Sequence, residues 1–356
     1  MNWNVEKGTY PGVKEESLSI EVTTHCNSVC LHCFARAGTS DSSSLSVDLV
    51  KEIIAEGYNT GYRHLHVTGG EPLLWEGLFE ALDYAFGMGY NKVFMNTNGT
   101  LLTEDVSSRL AAYGCLSISV SLEGTEALHD RLRGEGSYRR TVRGIEKALD
   151  AGIGLFIFAI ATKSLLPELP HFADDLYKKF SSIKYLTLIQ LISITDDVFA
   201  LSEELLEPED FLQLVQTVSL LNLYGLLTIV KNNPLVSIVS KLIEMPWIPQ
   251  AHPLYREGSM IVMANRNISL SHSIRDSFGK YKPGMIQRVL ASDEYRKAVA
   301  PDETTCHSCK YAELCMENGM VRPSEWYWDM YTKVPYCKRV LNKASLGSIT
   351  GAPSTV

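Results

Sequence analysis

Along the first two-thirds of the chain, short apolar runs alternate with longer amphipathic stretches. The apolar runs have the length and composition of buried strands, and they predict strands at Leu18–Thr23, His64–Val67, Lys92–Asn96, Leu116–Val120, Leu155–Ala161 and Tyr185–Leu191. Between them, apolar residues recur at helical spacing and predict helices at Ser46–Glu56, Gly77–Phe86, Glu104–Tyr113, Tyr138–Asp150, Glu168–Phe180 and Glu209–Leu223. Six successive βα units predict an α/β fold with a parallel sheet, either open or closed into a partial (β/α)6 barrel of the TIM type.

The pattern changes after about residue 230, where several prolines interrupt a mixed apolar stretch. A hairpin is then predicted at Met260–Leu270, with its turn at Asn265-Arg266-Asn267. The expected organisation is a lead-in, a core, a linker, a small domain with a hairpin and a short helix, and a flexible tail, at residues 1–17, 18–231, 232–254, 255–343 and 344–356.

Composition excludes several classes of protein. The chain has 356 residues and a net charge of −8, which gives no support to nucleic-acid binding because that usually requires a basic face. No apolar run predicts a membrane span, and the polar N-terminus lacks the apolar core of a secretory signal. We therefore expect a cytoplasmic protein without a nucleic-acid or membrane partner. In that compartment clustered cysteines indicate metal binding or catalysis.

Three cysteines, Cys26, Cys30 and Cys33, form a C-x3-C-x2-C pattern on the loop after the first predicted strand. Three thiolates can bind three irons of a [4Fe–4S] cluster and leave the fourth iron open to a small chelating molecule. Two other interpretations stay open on these residues alone. One is a zinc site completed by His25 or His32, and the other is a redox pair formed by Cys30 and Cys33.

Three further motifs stand at the ends of the next three predicted strands. They are Thr68-Gly69-Gly70-Glu71-Pro72, then Thr97-Asn98-Gly99, then Ser119-Val120-Ser121-Leu122-Glu123-Gly124, which runs on to Arg133. Together with the cysteine spacing, they resemble the radical S-adenosylmethionine (radical SAM) superfamily over about residues 18–225. One departure is His32, since the family usually has an aromatic residue before the third cysteine.

The resemblance implies a [4Fe–4S] cluster and S-adenosylmethionine (AdoMet) as cofactors. It implies that the three cysteines hold the cluster and that AdoMet is bound by Gly69, Gly70, Glu71, Pro72, Asn98, Ser121 and Arg133. In this scheme Glu71 meets the methionine ammonium, while Ser121 and Arg133 bind its carboxylate. No catalytic residue beyond the cluster is identified by the sequence.

A second cysteine group near the C-terminus has the spacing Cys306-x2-Cys309-x5-Cys315, followed by Cys337. It resembles the C-terminal extension called SPASM and its shorter form, twitch. The resemblance implies one auxiliary [4Fe–4S] cluster bound by these four cysteines. The places of a further cluster hold no cysteine, since Tyr255, Gly258, Ser271 and His272 flank the hairpin and Gly319 follows the group. Structural zinc is the alternative for these cysteines.

The resemblance implies an enzyme that cleaves AdoMet reductively to a 5′-deoxyadenosyl radical and abstracts hydrogen from a C–H bond. We expect modification of a peptide or protein, with an electron donor such as flavodoxin or ferredoxin. A dehydrogenase or cofactor-biosynthesis enzyme acting on a small molecule is the alternative. It stays open because about 17 residues before the first strand are too few for a peptide-binding domain. A non-catalytic iron–sulfur or zinc protein is disfavoured, since it needs no AdoMet pocket.

Overall fold

The computed structural model describes residues 16–33, 35, 37–38, 42–191, 201–231, 233, 235–245, 248, 258–270, 277–299, 309–312 and 336–347. They form two compact units. The first contains the described residues of Met1–Leu122, His129–Phe156 and Tyr255–Ala300, and the second those of Glu123–Leu128, Ile157–Leu254 and Pro301–Val356. Within the described part of the chain, no helix has the length and apolarity that crossing a bilayer requires.

Strands and helices alternate as the sequence predicts. The strands are β1 Ser17–Glu21, β2 His64–Thr68, β3 Lys92–Thr97, β4 Leu116–Ser121, β5 Gly154–Ala161, β6 Leu186–Gln190, β7 Thr228–Lys231, β8 Met260–Val262 and β9 Ile268–Ser269. The helices are α1 Val47–Thr60, α2 Leu78–Met88, α3 Glu104–Ala111, α4 Glu126–Arg133, α5 Ser137–Asp150, α6 Leu169–Lys179, α7 Pro208–Leu223, α8 Leu235–Leu242, α9 Met285–Ala291, α10 Asp293–Val299 and α11 Tyr336–Gly347. The predicted α/β class is confirmed, and the mainly parallel pairing is consistent with a partial TIM-like core.

In the first unit the strand order is β4-β3-β2-β1-β8-β9, and all pairs are parallel except β8 with β9. One face of this sheet is apolar and packs under helices. Gly57 of α1 comes so close to β1 that a Cβ there would lie 2.4 Å from the Leu18 side chain. The other face carries polar pairs, including Ser119, whose hydroxyl donates to the Asn96 side-chain oxygen at 2.6 Å. Apolar and polar residues alternate along these strands because successive side chains of a strand point to opposite faces of the sheet.

The predicted hairpin is present, and it extends the sheet of the first unit. β8 pairs in parallel with β1, with Leu18 opposite Met260. A partly buried carboxylate on α1 holds the segment after the hairpin, because Glu56 accepts hydrogen bonds from the Tyr281 hydroxyl at 2.7 Å and from the backbone N–H of Ile286 at 2.7 Å. The predicted linker and small domain stay predictions.

The second unit contains the parallel strands β5, β6 and β7 in that order, together with helices α7, α8 and α11. Tyr336 at the start of α11 packs edge-on against Phe211 of α7, with ring centroids 6.2 Å apart. An ion pair between Arg339 and Glu207, 2.6 Å long, holds the same two helices together. These contacts fix α11, which carries Cys337, against α7.

Candidate cofactor site

The first cysteine group lies on a loop that begins directly after β1, in the first unit. The backbone N–H of Cys33 donates to the Cys30 carbonyl at 3.1 Å, which folds the second half of the motif into a turn. The Leu31 N–H donates to the Leu132 carbonyl of α4 at 3.0 Å, so the turn is fastened to a helix. Cys26, Cys30 and Cys33 form no disulfide and are partly exposed, as cluster ligands require.

The arrangement of the cysteines bears on the choice between one metal ion and a cluster. Among the residues that the structure describes, no three Cys, His, Asp or Glu side chains converge on a point where one ion could sit. A [4Fe–4S] cluster needs no such convergence, because each thiolate binds a different iron. The choice between a cluster and a zinc site completed by His25 or His32 therefore rests on the motifs and not on this geometry.

Gly69 and Gly70 lie directly against the cysteine loop. The Gly70 N–H donates to the Thr23 carbonyl at 2.7 Å, and the next N–H, from Glu71, donates to the His25 carbonyl at 2.8 Å. A Cβ at Gly69 would lie 2.4 Å from the Thr23 oxygen, and one at Gly70 would lie 2.2 Å from the His25 oxygen. Both positions therefore need glycine for the approach of the chain's own loop, which the sequence did not predict.

Glu71 is fully buried and joins the end of β2 to the end of β3. One carboxylate oxygen accepts from the Leu73 N–H at 3.1 Å and from the Thr97 hydroxyl at 2.8 Å, and the other accepts from the Asn98 N–H at 2.8 Å. Burial raises the pKa of the carboxyl, and these donors oppose that rise. Glu71 therefore positions the Thr97-Asn98 turn, and its predicted contact with the methionine ammonium stays a prediction.

Asn98 links this turn to the cysteine loop. Its side-chain N–H group donates to the Asn27 side-chain oxygen at 2.7 Å and lies 3.9 Å from the Cys26 sulfur. Its own oxygen accepts from the backbone N–H of Thr100 at 2.9 Å, which fixes the orientation of the amide. In the metal-free chain burial raises the pKa of the Cys26 thiol, and the nearby charge of Glu71 adds to the rise.

Two further predicted residues lie at the same edge of the sheet. Arg133, at the end of α4, donates from Nη1 to the Cys30 sulfur at 3.7 Å, and its Nη2 lies 3.2 Å from Nε2 of His32. Ser121 is the last residue of β4, whose Val120 pairs with Thr97 of β3. The structure thus brings the predicted cluster and AdoMet residues into one unit, although their roles stay predictions.

Asp130 fixes the helix that carries Arg133. Its carboxylate accepts from the backbone N–H of Gly136 at 2.7 Å and of Tyr138 at 2.8 Å, and from the Ser137 hydroxyl at 3.2 Å. Slight burial raises the pKa of this carboxyl, but the three donors outweigh that effect and hold the pKa below its usual value. Asp130 therefore ties α4 to the first turn of α5.

We expect Asp130→Asn to lower the free energy of unfolding by about 1 kcal/mol at neutral pH, since one amide oxygen replaces a carboxylate that caps three donors. A carboxyl whose pKa is lowered by folding stabilises the fold above its unfolded pKa and loses that contribution on acidification. The difference between wild type and variant should therefore shrink as the pH falls below about 4. Urea unfolding at a series of pH values measures this. The exposed neighbour Glu135, changed to Gln, is the control, and a pH-independent difference would contradict the assignment.

Sequence reasoning missed several groups that shape the site. Asn27, which bonds to Asn98, carries no signal in the sequence beyond its place next to Cys26. Thr141 of α5 donates its hydroxyl to the Asn98 carbonyl at 2.9 Å. Gly144, one turn further along α5, could have been noticed as a glycine inside a helix. A Cβ there would lie 1.9 Å from the Gly99 carbonyl oxygen, so α5 packs tightly on the same turn.

Only part of the second cysteine group falls within the described residues. Cys309 and Cys337 are described, both half-buried and both in the second unit. The N–H of Ala312 donates to the Cys309 carbonyl at 3.0 Å, and Cys337 is the second residue of α11. Outside the described residues lie Cys306, Cys315, Gly319, Tyr255, Ser271 and His272. The auxiliary cluster therefore stays a prediction.

Comparison with known proteins supports the family that the motifs predict. The chain is 31% identical over 185 residues to mycofactocin maturase MftC of Mycobacterium tuberculosis, covering 51% of this chain and 47% of the relative. It is 34% identical over 168 residues to the AdoMet-dependent heme synthase of Methanosarcina barkeri, covering 46% of this chain and 48% of that protein. The chain thus spans about half the length of the curated relatives it matches.

Solved structures share the fold over more of the chain. The structure of anSMEcpe with bound AdoMet superposes with a TM-score of 0.71 at 16% identity, over 94% of this chain and 97% of that one. Streptococcus suis SuiB bound to the precursor peptide SuiA superposes with a TM-score of 0.68 at 15% identity, over 84% of this chain and 70% of that one. A sequence model of the radical SAM superfamily matches residues 20–168. This range includes the three cysteines, Gly69 to Pro72, Asn98, Ser121 and Arg133. Residues 20–168 of this chain therefore resemble a radical SAM superfamily domain.

Proposed function

We propose that the protein is a radical SAM enzyme that cleaves AdoMet reductively, abstracts hydrogen from a C–H bond and modifies a peptide or protein. The observation that carries the proposal is the cysteine loop, which is fastened by glycine contacts, by Asn98 and by α4 at the carboxyl edge of a parallel sheet. Cys26, Cys30 and Cys33 would hold a [4Fe–4S] cluster there, and that cluster would supply the electron for splitting AdoMet into methionine and a 5′-deoxyadenosyl radical.

The donor set fits this cluster. Cys26, Cys30 and Cys33 are soft thiol ligands, and the chain places hydrogen-bond donors beside two of them, the Asn98 amide and the Arg133 guanidinium. Gly69 and Gly70 keep the loop pressed against the end of β2, and Glu71 holds the next turn in register. These contacts orient the thiols before any metal binds, so little reorganisation is needed when the cluster is inserted.

In this proposal AdoMet lies against the carboxyl edge of β2, β3 and β4. Ser121 offers a hydroxyl and Arg133 a planar guanidinium, and both suit the methionine carboxylate. The backbone at Gly69–Pro72 and the Asn98 turn complete the pocket. The electron for this cluster would come from a donor such as flavodoxin or ferredoxin. Cys306, Cys309, Cys315 and Cys337 would hold one auxiliary [4Fe–4S] cluster with no open iron, for electron transfer or for bracing the fold.

A peptide or protein substrate is supported by the relatives. MftC is named as a maturase, and SuiB is similar in fold and was solved with a precursor peptide. A second candidate function is supported by another relative. The AdoMet-dependent heme synthase is as similar to this chain as MftC is, over a stretch of comparable length. On that alternative the same chemistry acts on a small molecule in cofactor biosynthesis.

Formation of 5′-deoxyadenosine tests the proposal directly. Anaerobically reconstituted protein, reduced with dithionite and given AdoMet, should release 5′-deoxyadenosine and methionine. Cys33→Ala should abolish both products, because the cluster loses one of its three ligands. Cys115→Ala, at an exposed cysteine outside both groups, should behave as wild type. Turnover that persists in Cys33→Ala, or a wild type that neither binds nor cleaves AdoMet, would overturn the proposal and favour a non-catalytic iron–sulfur protein.

A further inference from the structure

Arg133 contacts the cysteine loop itself, in addition to lying where AdoMet is expected. Its Nη1 donates to the Cys30 sulfur at 3.7 Å, and its Nη2 lies 3.2 Å from Nε2 of His32. A guanidinium can only donate hydrogen bonds, so Nε2 of His32 is the acceptor and the imidazole carries its proton on Nδ1. His32 thus holds one arm of the guanidinium while the other arm reaches the sulfur.

The surrounding backbone keeps this arrangement in place. The Leu31 N–H donates to the Leu132 carbonyl at 3.0 Å, so the residues adjacent to His32 and Arg133 are bonded to each other. Asp130, one turn earlier in α4, is bonded to the start of α5. The Leu31–Leu132 bond and the bonds of Asp130 to α5 therefore hold the Arg133 guanidinium at the cysteine loop. Neither set of bonds involves AdoMet.

We propose that Arg133, held by His32, is a positioning residue that sets the reduction potential of the cluster through the Cys30 sulfur. The inference rests on the proposed function, since it concerns the cluster that the three cysteines would bind. A fixed positive charge that donates a hydrogen bond to a ligand sulfur favours the added electron, because reduction makes the cluster more negative. Arginine stays charged at every relevant pH, so this bias is permanent.

This role of Arg133 gives a physical reason for His32, which stands where the family usually has an aromatic residue. A phenyl ring at this position offers no acceptor in its plane, so one arm of the guanidinium would lose its anchor. Histidine accepts from Arg133 and leaves Nη1 directed at Cys30. The residue before the third cysteine would therefore tune the cluster through Arg133.

The test is a potentiometric titration of the reconstituted protein without AdoMet, followed by electron paramagnetic resonance of the reduced cluster. The N-terminal cluster is identified as the one whose signal changes when AdoMet is added afterwards. Arg133→Gln should lower the equilibrium constant for one-electron reduction about tenfold, which moves the midpoint about 59 mV more negative. His32→Phe should also make the midpoint more negative, but by a smaller amount. His32→Gln keeps an acceptor and should have the wild-type midpoint.

Arg131→Gln is the matched control, since it removes an exposed arginine from the same helix and should leave the midpoint unchanged. If Arg133→Gln fails to incorporate iron, Arg133→Lys and His32→Phe decide, since the first keeps the charge and the second keeps the arginine. A wild-type midpoint in Arg133→Gln, or in His32→Phe where Arg133→Gln does not load, would overturn the inference, even if AdoMet binds more weakly. A wild type with no AdoMet-sensitive signal would instead defeat the proposed function itself.

Discussion

Replacing Cys26, Cys30 and Cys33 together with Ala is expected to lower the iron content of anaerobically prepared protein from about eight atoms per chain to about four, and to abolish formation of 5′-deoxyadenosine. The three thiols are the cluster ligands that this loop offers, and the loop is bonded to Gly70 at Thr23 and to α4 at Leu31. Removing them leaves the predicted auxiliary cluster as the remaining iron site. Iron, sulfide and zinc are counted on the same samples, and 5′-deoxyadenosine is measured by chromatography.

Each outcome of this count separates two interpretations. About four irons and one zinc in the wild type would make the C-terminal cysteines a structural zinc site and remove their electron-transfer role. An unchanged iron content in the triple variant would mean that the N-terminal motif does not bind a cluster, and the proposed function would be wrong. Cys115→Ala controls for the loss of a thiol as such, since this cysteine is exposed and lies just before β4.

The sequence predicted the elements that build the site because the strands that carry it are short, apolar and each followed by a marked turn. Each motif begins within five residues of the end of β1, β2, β3 or β4, so placing the motifs at one edge required only the parallel order of the strands. The pairing of β8 with β1 was beyond this reasoning. Three residues of strand more than 200 positions away carry no signal of their partner.

The roles within the site were harder to predict than its location. The resemblance implies that Gly69 and Gly70 bind AdoMet, and the structure adds that they lie against the carbonyls of Thr23 and His25. A glycine in a sequence indicates that something comes close, and only the fold shows that here it is the chain's own backbone. The same limit applies to Arg133, whose contact with Cys30 depends on how α4 is oriented.

Glu71→Ala is expected to lower the free energy of unfolding by about 3–5 kcal/mol, because two buried donors and one partly buried donor lose their acceptor, and each buried donor left unpaired costs about 1–3 kcal/mol. Three donors lose their partner in this variant, namely the N–H groups of Leu73 and Asn98 and the hydroxyl of Thr97. Glu71→Gln should cost less, since the amide keeps one oxygen. Urea unfolding of the metal-free protein measures both, and Glu76→Ala, at an exposed position on the same loop, should stay within about 0.5 kcal/mol of wild type.

The same variants distinguish two roles for Glu71. If it positions the loop, iron incorporation should fall together with stability, because Asn98 no longer holds its amide near the Cys26 sulfur. The partial loss in Glu71→Gln should then follow its smaller loss of stability. If Glu71 instead acts by meeting the methionine ammonium, Glu71→Ala should unfold like wild type, load its iron and bind AdoMet weakly. That second result would contradict the positioning role, because a buried carboxylate with three internal donors cannot be removed without cost unless those donors find other partners.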